Sequence, residues 1–200
     1  MLDPSRFHRD NTPDTCAVWN LLSSRRLYAA ARAAGCTLAC TVFVRYECLY
    51  KRRKHTTPED QELQQRLRDA LDRREIRAFS LDIADLQQVE LLKSRRRLSM
   101  GELSAIAFAQ KTGRLAFLTD DKKARDLAKV VLAGGMVQTT PHLLGWLHYW
   151  GHLGDSDQPE IVREHNRFRR PLEPYFNAMY AEACRCRLLE AANKQPRQGS

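Results

Sequence analysis

The stretch over residues 99–125, SMGELSAIAFAQKTGRLAFLTDDKKAR, constrains this chain more than any other. Ser99 with Glu102 three residues on is a capping box, so a helix begins here. Leu103, Ile106, Ala107, Phe108 and Ala109 leave that helix apolar nearly all round, which buries it. Lys111-Thr112-Gly113 stops it, and residues 115–118 form an apolar run of strand length that ends on Thr119-Asp120-Asp121. A second helix follows, with Ala124, Leu127, Ala128 and Val131 on one face and Gly134-Gly135 to close it. The result is an αβα unit with Glu102, Asp120 and Asp121 at one end. In open parallel sheets that end, the carboxyl edge of the strands, is where ligands bind. Each acid also has a purely local use, Glu102 in its capping box and Asp120 as a helix N-cap. The rest of the chain must supply further acids before chemistry is the better reading.

Asp14 heads an apolar run over 14–22 that continues at helical spacing through Leu27, Ala30, Ala31 and Ala34 to Gly35. Residues 36–44, CTLACTVFV, read as a strand, which sets Glu47 just past a strand end. Thr57-Pro58-Glu59-Asp60 starts a helix whose buried stripe is Leu63, Leu67, Ala70 and Leu71. Residues 76–81 can be a strand. Asp82 or Asp85 caps the next helix, with Leu86, Val89 and Leu92 on one face. Residues 136–139 give a last strand, and Thr140-Pro141 opens a helix carrying Leu143, Leu144, Leu147 and Trp150. After a loop over 151–159, a helical segment holds Arg163, Arg167, Arg169 and Arg170. It is interrupted at Pro171 and Pro174 and resumes with a packed face of Tyr175, Phe176, Met179 and Leu189. A frayed tail is expected from about Ala191. Strands alternating with helices predict an α/β fold with a mostly parallel sheet over 1–150, and a C-terminal helical extension over 151–200.

With 43% hydrophobic residues, 200 residues can build a real core. An excess of 33 Lys and Arg over 24 Asp and Glu gives +9, which favours a polyanion partner or simply solubility. No long apolar span or signal-peptide core is present, so no membrane partner is expected. The six cysteines lack zinc-site spacing and read as reduced thiols of a cytoplasmic protein. A dehalogenase-like phosphatase needs an acid two residues after its aspartate, where this chain has Cys16. No Gly-x-Gly-x-x-Gly marks a dinucleotide site, and no histidine is set to activate a cysteine. His142, His148 and His152 read as ordinary helix or loop residues.

Collected in order, the acids at the carboxyl edge are Asp14, Glu47, Glu102, Asp120 and Asp121. Carboxylates crowded into one cleft repel each other, and hard cations such as Mg²⁺ or Mn²⁺ take oxygen ligands of this kind. The set suits metal-assisted phosphodiester hydrolysis, giving a 5′-phosphate and a 3′-hydroxyl when water attacks and the 3′ oxygen leaves. The basic runs at Lys51, Arg52, Arg53 and Lys54, at Arg95, Arg96 and Arg97, and at 163–170 would hold the polyanion alongside. A solvated charged face is the plainer use of any one run.

These residues resemble the PIN domain nucleases, the group that includes the ribonuclease toxins of bacterial toxin–antitoxin pairs. Asp14-Thr15 with Asn20-Leu21 is similar to the family's opening motif. Glu47 in VRYECL, Glu102 in GELSAIAFA and Asp120 or Asp121 in LTDDKKAR match its later acids, and TTPHLLGWL its last strand and helix. The resemblance implies a three-layer α/β/α fold and a Mg²⁺- or Mn²⁺-dependent endoribonuclease. Asp14, Glu102 and Asp121 would be its principal ligands, with Glu47 and Asp120 completing the shell and Thr15 orienting Asp14 by a hydrogen bond. A small antitoxin over the acidic groove and a homodimer would be its partners. Two features depart from the family. Residues 6–13, RFHRDNTP, make a poor buried strand with Pro13 in it, which leaves Asp10 beside Asp14 as first ligand. The chain is also longer than a minimal toxin. A DNA nuclease of defence or repair and a non-catalytic PIN-like module that binds RNA or protein are the alternatives.

Overall fold

The computed structural model describes residues 3–52, 55–93 and 98–194. Five strands, β1 (Asp10–Pro13), β2 (Thr37–Thr41), β3 (Ile76–Phe79), β4 (Ala116–Leu118) and β5 (Val137–Gln138), make one sheet in the order β3-β2-β1-β4-β5. Every pairing is parallel. Ten helices fill the described remainder. They are α1 (Thr15–Ser23), α2 (Arg25–Ala33), α3 (Val42–Leu49), α4 (Pro58–Asp72), α5 (Ile83–Lys93), α6 (Met100–Thr112), α7 (Lys122–Val131), α8 (Thr140–Tyr149), α9 (Asp157–Arg167) and α10 (Glu173–Lys194). Consecutive residues of a strand point to opposite faces, yet Asn11 through Pro13, Leu38 through Thr41 and Ala116 through Leu118 are all buried. Both faces of the sheet are therefore covered, which is compatible with three α/β/α layers.

Local signals in the sequence fix many of these boundaries. Ser99 and Glu102 close a reciprocal capping box on α6, and Gly113 ends that helix in the left-handed conformation at φ 61°. Thr57 and Asp60 do the same for α4. Asp82 and Asp85 accept from each other's backbone N–H at the head of α5.

Elsewhere packing overrides local pattern. The expected single helix after Asp14 is two, because Ser24 leaves α1 in an extended conformation and caps α2 by accepting from Leu27 N–H. The expected strand over 36–44 stops at Thr41, which caps α3 through Val44 N–H. Glu47 consequently sits on a helix and not just past a strand. Residues 10–13 do form a strand, and it is the central one. Pro13 is accommodated because the ladder to β2 is recorded only at Asp10 and Asn11, while Pro13 pairs with Leu118 on the other side.

Leu86, Trp150, Tyr175 and Leu189, expected on packed faces, are exposed. Pro174 lies in the first turn of α10 and does not interrupt it. The helix itself runs on to Lys194, past the point where fraying was expected, and residues 195–200 lie outside the described residues. Phe168, Leu172 and Phe176, from the segment that carries α9 and α10, belong to the same buried cluster as the residues around the sheet.

Candidate functional site

Strands β1, β2 and β3 step one way from the middle of the sheet, and β4 and β5 step the other, so the order reverses between β1 and β4. A crevice opens at the carboxyl ends of the strands at such a point. Asp14 follows β1 immediately, and Thr119, Asp120 and Asp121 follow β4.

Asp14 is fully buried and caps α1, its Oδ1 accepting from Ala17 N–H at 2.7 Å. The hydroxyl of Thr119 donates to its Oδ2. Burial pushes the Asp14 carboxyl up to about 8, helped by the charges of Asp120 and Glu102. Asp120 is partly buried and points into the fold. Its Oδ1 accepts from Thr140 N–H at 2.9 Å, and its Oδ2 from Asn20 Nδ2 at 2.7 Å and the Thr140 hydroxyl at 2.6 Å. Burial raises its pKa above the usual carboxylate value, against the pull of those bonds and of Arg125. Asp121 takes the other role. It is the N-cap of α7, accepting from Ala124 N–H at 2.9 Å. The local use expected for Asp120 thus falls to its neighbour.

Glu102 returns a bond to Ser99 N–H at 2.7 Å through Oε2. Its pKa is raised by burial and by the charges of Asp121 and Glu47. Glu47 is buried and bridges three helices. Its Oε1 accepts from Gly101 N–H at 2.9 Å and its Oε2 from the Thr15 hydroxyl at 2.8 Å. A Cβ at Gly101 would stand 2.6 Å from Glu47 Oε2 and 3.0 Å from Thr15 Oγ1, so only glycine admits this approach. Thr15 therefore serves Glu47, and the hydroxyl that orients Asp14 is that of Thr119.

The five acids share one electrostatic neighbourhood, linked by the mutual repulsion that raises Asp14 and Glu102. No family model matches the chain, and no curated protein or solved structure matches it. The site is read from its own chemistry.

Asp10, the alternative first ligand, begins β1 at the amino edge, where its carboxylate accepts from the Thr37 hydroxyl at 2.6 Å. Four residues of strand carry it about 13 Å from Asp14. Lys51 and Arg52 are exposed just past α3. Arg53, Arg95, Arg96 and Arg97 lie outside the described residues. Asn20, Gly101, Thr119 and Thr140 were not named as site residues from sequence. All four stand in the motifs read there, Thr119 in LTDDKKAR and Thr140 in TTPHLLGWL, but nothing local marks them as partners of the acids.

The donor set is all carboxylate oxygen, the chemistry that Mg²⁺ and Mn²⁺ take. Glu102 Oε1 and Asp121 Oδ2 accept no hydrogen bond from a described residue. Among the described residues, no three His, Cys, Asp or Glu side chains stand as a ready metal-binding group. The oxygens of Asp14, Asp120 and Glu47 are instead turned to hydroxyl and amide partners.

Proposed function

We propose that this chain is a PIN-like, metal-dependent nuclease that hydrolyses RNA phosphodiester bonds. One observation carries the reading. Burial raises Asp14, Asp120 and Glu102 from their usual carboxylate values at the switch point of a parallel sheet, with repulsion from neighbouring acids adding to it at Asp14 and Glu102, an arrangement that costs stability unless a cation is bound. Asp14, Glu102, Asp120 and Asp121 would hold Mg²⁺ or Mn²⁺. A cation bound there lowers the pKa of an attacking water and offsets charge on the phosphoryl oxygens.

The chain's own residues then have defined tasks. Thr119 fixes the rotamer of Asp14, and Asn20 and Thr140 fix that of Asp120. Glu47, held by Thr15 and Gly101, ties α6 to α1 and α3 and so sets where Glu102 stands. Arg125, whose Nη1 donates to the Asp120 carbonyl at 3.2 Å, brings a positive charge to the rim.

Cleavage of labelled RNA and DNA with Mn²⁺ or EDTA, by wild type and Asp120→Asn, tests this. RNA cut only with metal and only by wild type is the expected result, and cutting of DNA alone would transfer the chemistry to a different substrate. A second reading, binding without chemistry, is favoured by the oxygens already committed to protein partners. It becomes the leading account if RNA is bound and never cut.

A further inference from the structure

We infer that helix α3 is a stacking platform for the unpaired bases of single-stranded nucleic acid, leading directly away from the acids. This rests on the nuclease reading for its purpose but on separate residues. Phe43 and Tyr46 on α3 and Tyr50 at its C-cap fall at i, i+3 and i+7, within about 60° of arc, and Glu47 lies about 40° to one side of them. The spacing spans about 10 Å along the axis. Tyr46 is 54% and Tyr50 59% exposed, although burying an aromatic ring is normally among the larger gains a fold can make. A cleft of about 600 Å³ opens on this face, lined by Val42, Phe43, Tyr46, Glu47, Lys51 and Met100. That volume lies in the range of sites that enclose small organic groups.

The charge on this face fits a phosphate backbone. Lys51 lines the cleft, Arg52 follows it, and Arg45 stands at the side of the helix about 100° round from Tyr46; all three are exposed and have no carboxylate partner among the described residues. Arg45 instead lies 6.0 Å over the ring of Tyr50. Aromatic faces interleaved with unpaired cations are how proteins hold single strands without reading sequence, since every base has a π-face and every step a phosphate. Glu47 connects the two regions. It lines the cleft, while its carboxylate is bound to Gly101 and Thr15 beside Glu102. A strand laid along α3 therefore delivers its backbone to the carboxyl edge of the sheet. A duplex cannot use the platform, because its bases are already stacked on each other.

The test is fluorescence anisotropy with a labelled 12-nucleotide oligo-uridine, the same length of oligo-deoxythymidine, and an RNA duplex, all in EDTA, alongside cleavage with Mn²⁺. Wild type is expected to bind the single strands at least tenfold more tightly than the duplex. Tyr46→Ala and Tyr50→Ala should each weaken single-strand binding about 5- to 100-fold, the effect of losing one stacked base. Tyr46→Phe should restore it. Tyr175→Ala, an equally exposed tyrosine on α10, should change nothing. Both test residues are exposed, so their truncation leaves the core intact.

Equal binding of duplex and single strand would overturn the platform, as would unchanged binding in both alanine variants. Conversion of a dimer to a monomer by Tyr46→Ala, with binding intact, would overturn it too and assign the face to a second copy of the chain. Tyrosine-dependent binding without metal-dependent cleavage would uphold the platform and refute the nuclease. Cleavage by wild type with no loss in the alanine variants would do the reverse.

Discussion

Replacing Asp14 by Asn should make the metal-free protein more stable at alkaline pH while removing the cleavage proposed for it. Asn caps a helix as well as Asp does, so acceptance from Ala17 N–H survives. Its amide can donate to Thr119 Oγ1, which still has an acceptor site beside the one used by Asp121 N–H. The cost is the Thr119 hydroxyl's lost acceptor, about 1 kcal/mol. The gain is electrostatic. The carboxyl's pKa stands at about 8 in the folded chain against 3.8 in the unfolded one, so between those values the unfolded state has released a proton that the folded state keeps. Stability accordingly falls as pH rises through that window. The full difference corresponds to about 6 kcal/mol, and relaxation with water entry leaves about 2–4 kcal/mol. Net of the lost bond, Asp14→Asn should exceed wild type by about 1–3 kcal/mol at pH 8 in EDTA, and the margin should close towards pH 4. Urea unfolding at several pH values measures it. A variant less stable than wild type at pH 8, or a difference that does not change with pH, would refute the reasoning.

Gly101→Ala, which in an ordinary helix interior stabilises, should here destabilise by about 1–3 kcal/mol and abolish cleavage, because its Cβ displaces Glu47. A rise in melting temperature would mean the Glu47 bridge is dispensable. Mn²⁺ should raise the melting temperature of wild type but leave Asp120→Asn unmoved, as calorimetry would record. Burial and the nearby Arg170 charge lower His165 to about 4 from an ordinary 6.5, so the folded state resists a proton that the unfolded state accepts. Stability from this group is complete above pH 6.5 and declines by about 3 kcal/mol as pH falls to 4, and the acid limb should flatten in His165→Phe.

How much of this was legible depended on how far each interaction reaches along the chain. Ser99 with Glu102, Thr57 with Asp60, and Gly113 act within one turn, and each stands as the sequence predicts. The run TVFV reads as strand because its residues are β-branched or aromatic. Nothing local reveals that the Thr41 hydroxyl caps a helix and meets Ser104 at 2.7 Å, 63 positions away. The acids could be collected because helix and strand ends are marked in sequence. Which threonine would serve which acid could not, since Thr15 and Thr119 both follow the pattern of helix starts. Their assignment comes from the parallel pairing of β1 with β4 and the approach of α6 to α3. Exposed Tyr46 and Tyr50 were invisible for a related reason. Periodicity places residues on one face of a helix and does not say whether anything covers it.

The central position of β1 has a consequence for synthesis. Asp14 and Thr119 are 105 positions apart, and the Asp120 carboxylate is fixed by Thr140, a further 20 residues on. A ribosome adding about 5–20 residues per second exposes the first acid roughly 5–20 s before the strand that must lie beside it. Until then β1 has only β2 for a neighbour, and Asp14 has its helix cap at Ala17 N–H but not the Thr119 hydroxyl that holds its other oxygen. The acid pair on β4 and its threonine partners thus complete the carboxyl-edge site only after most of the chain has been made.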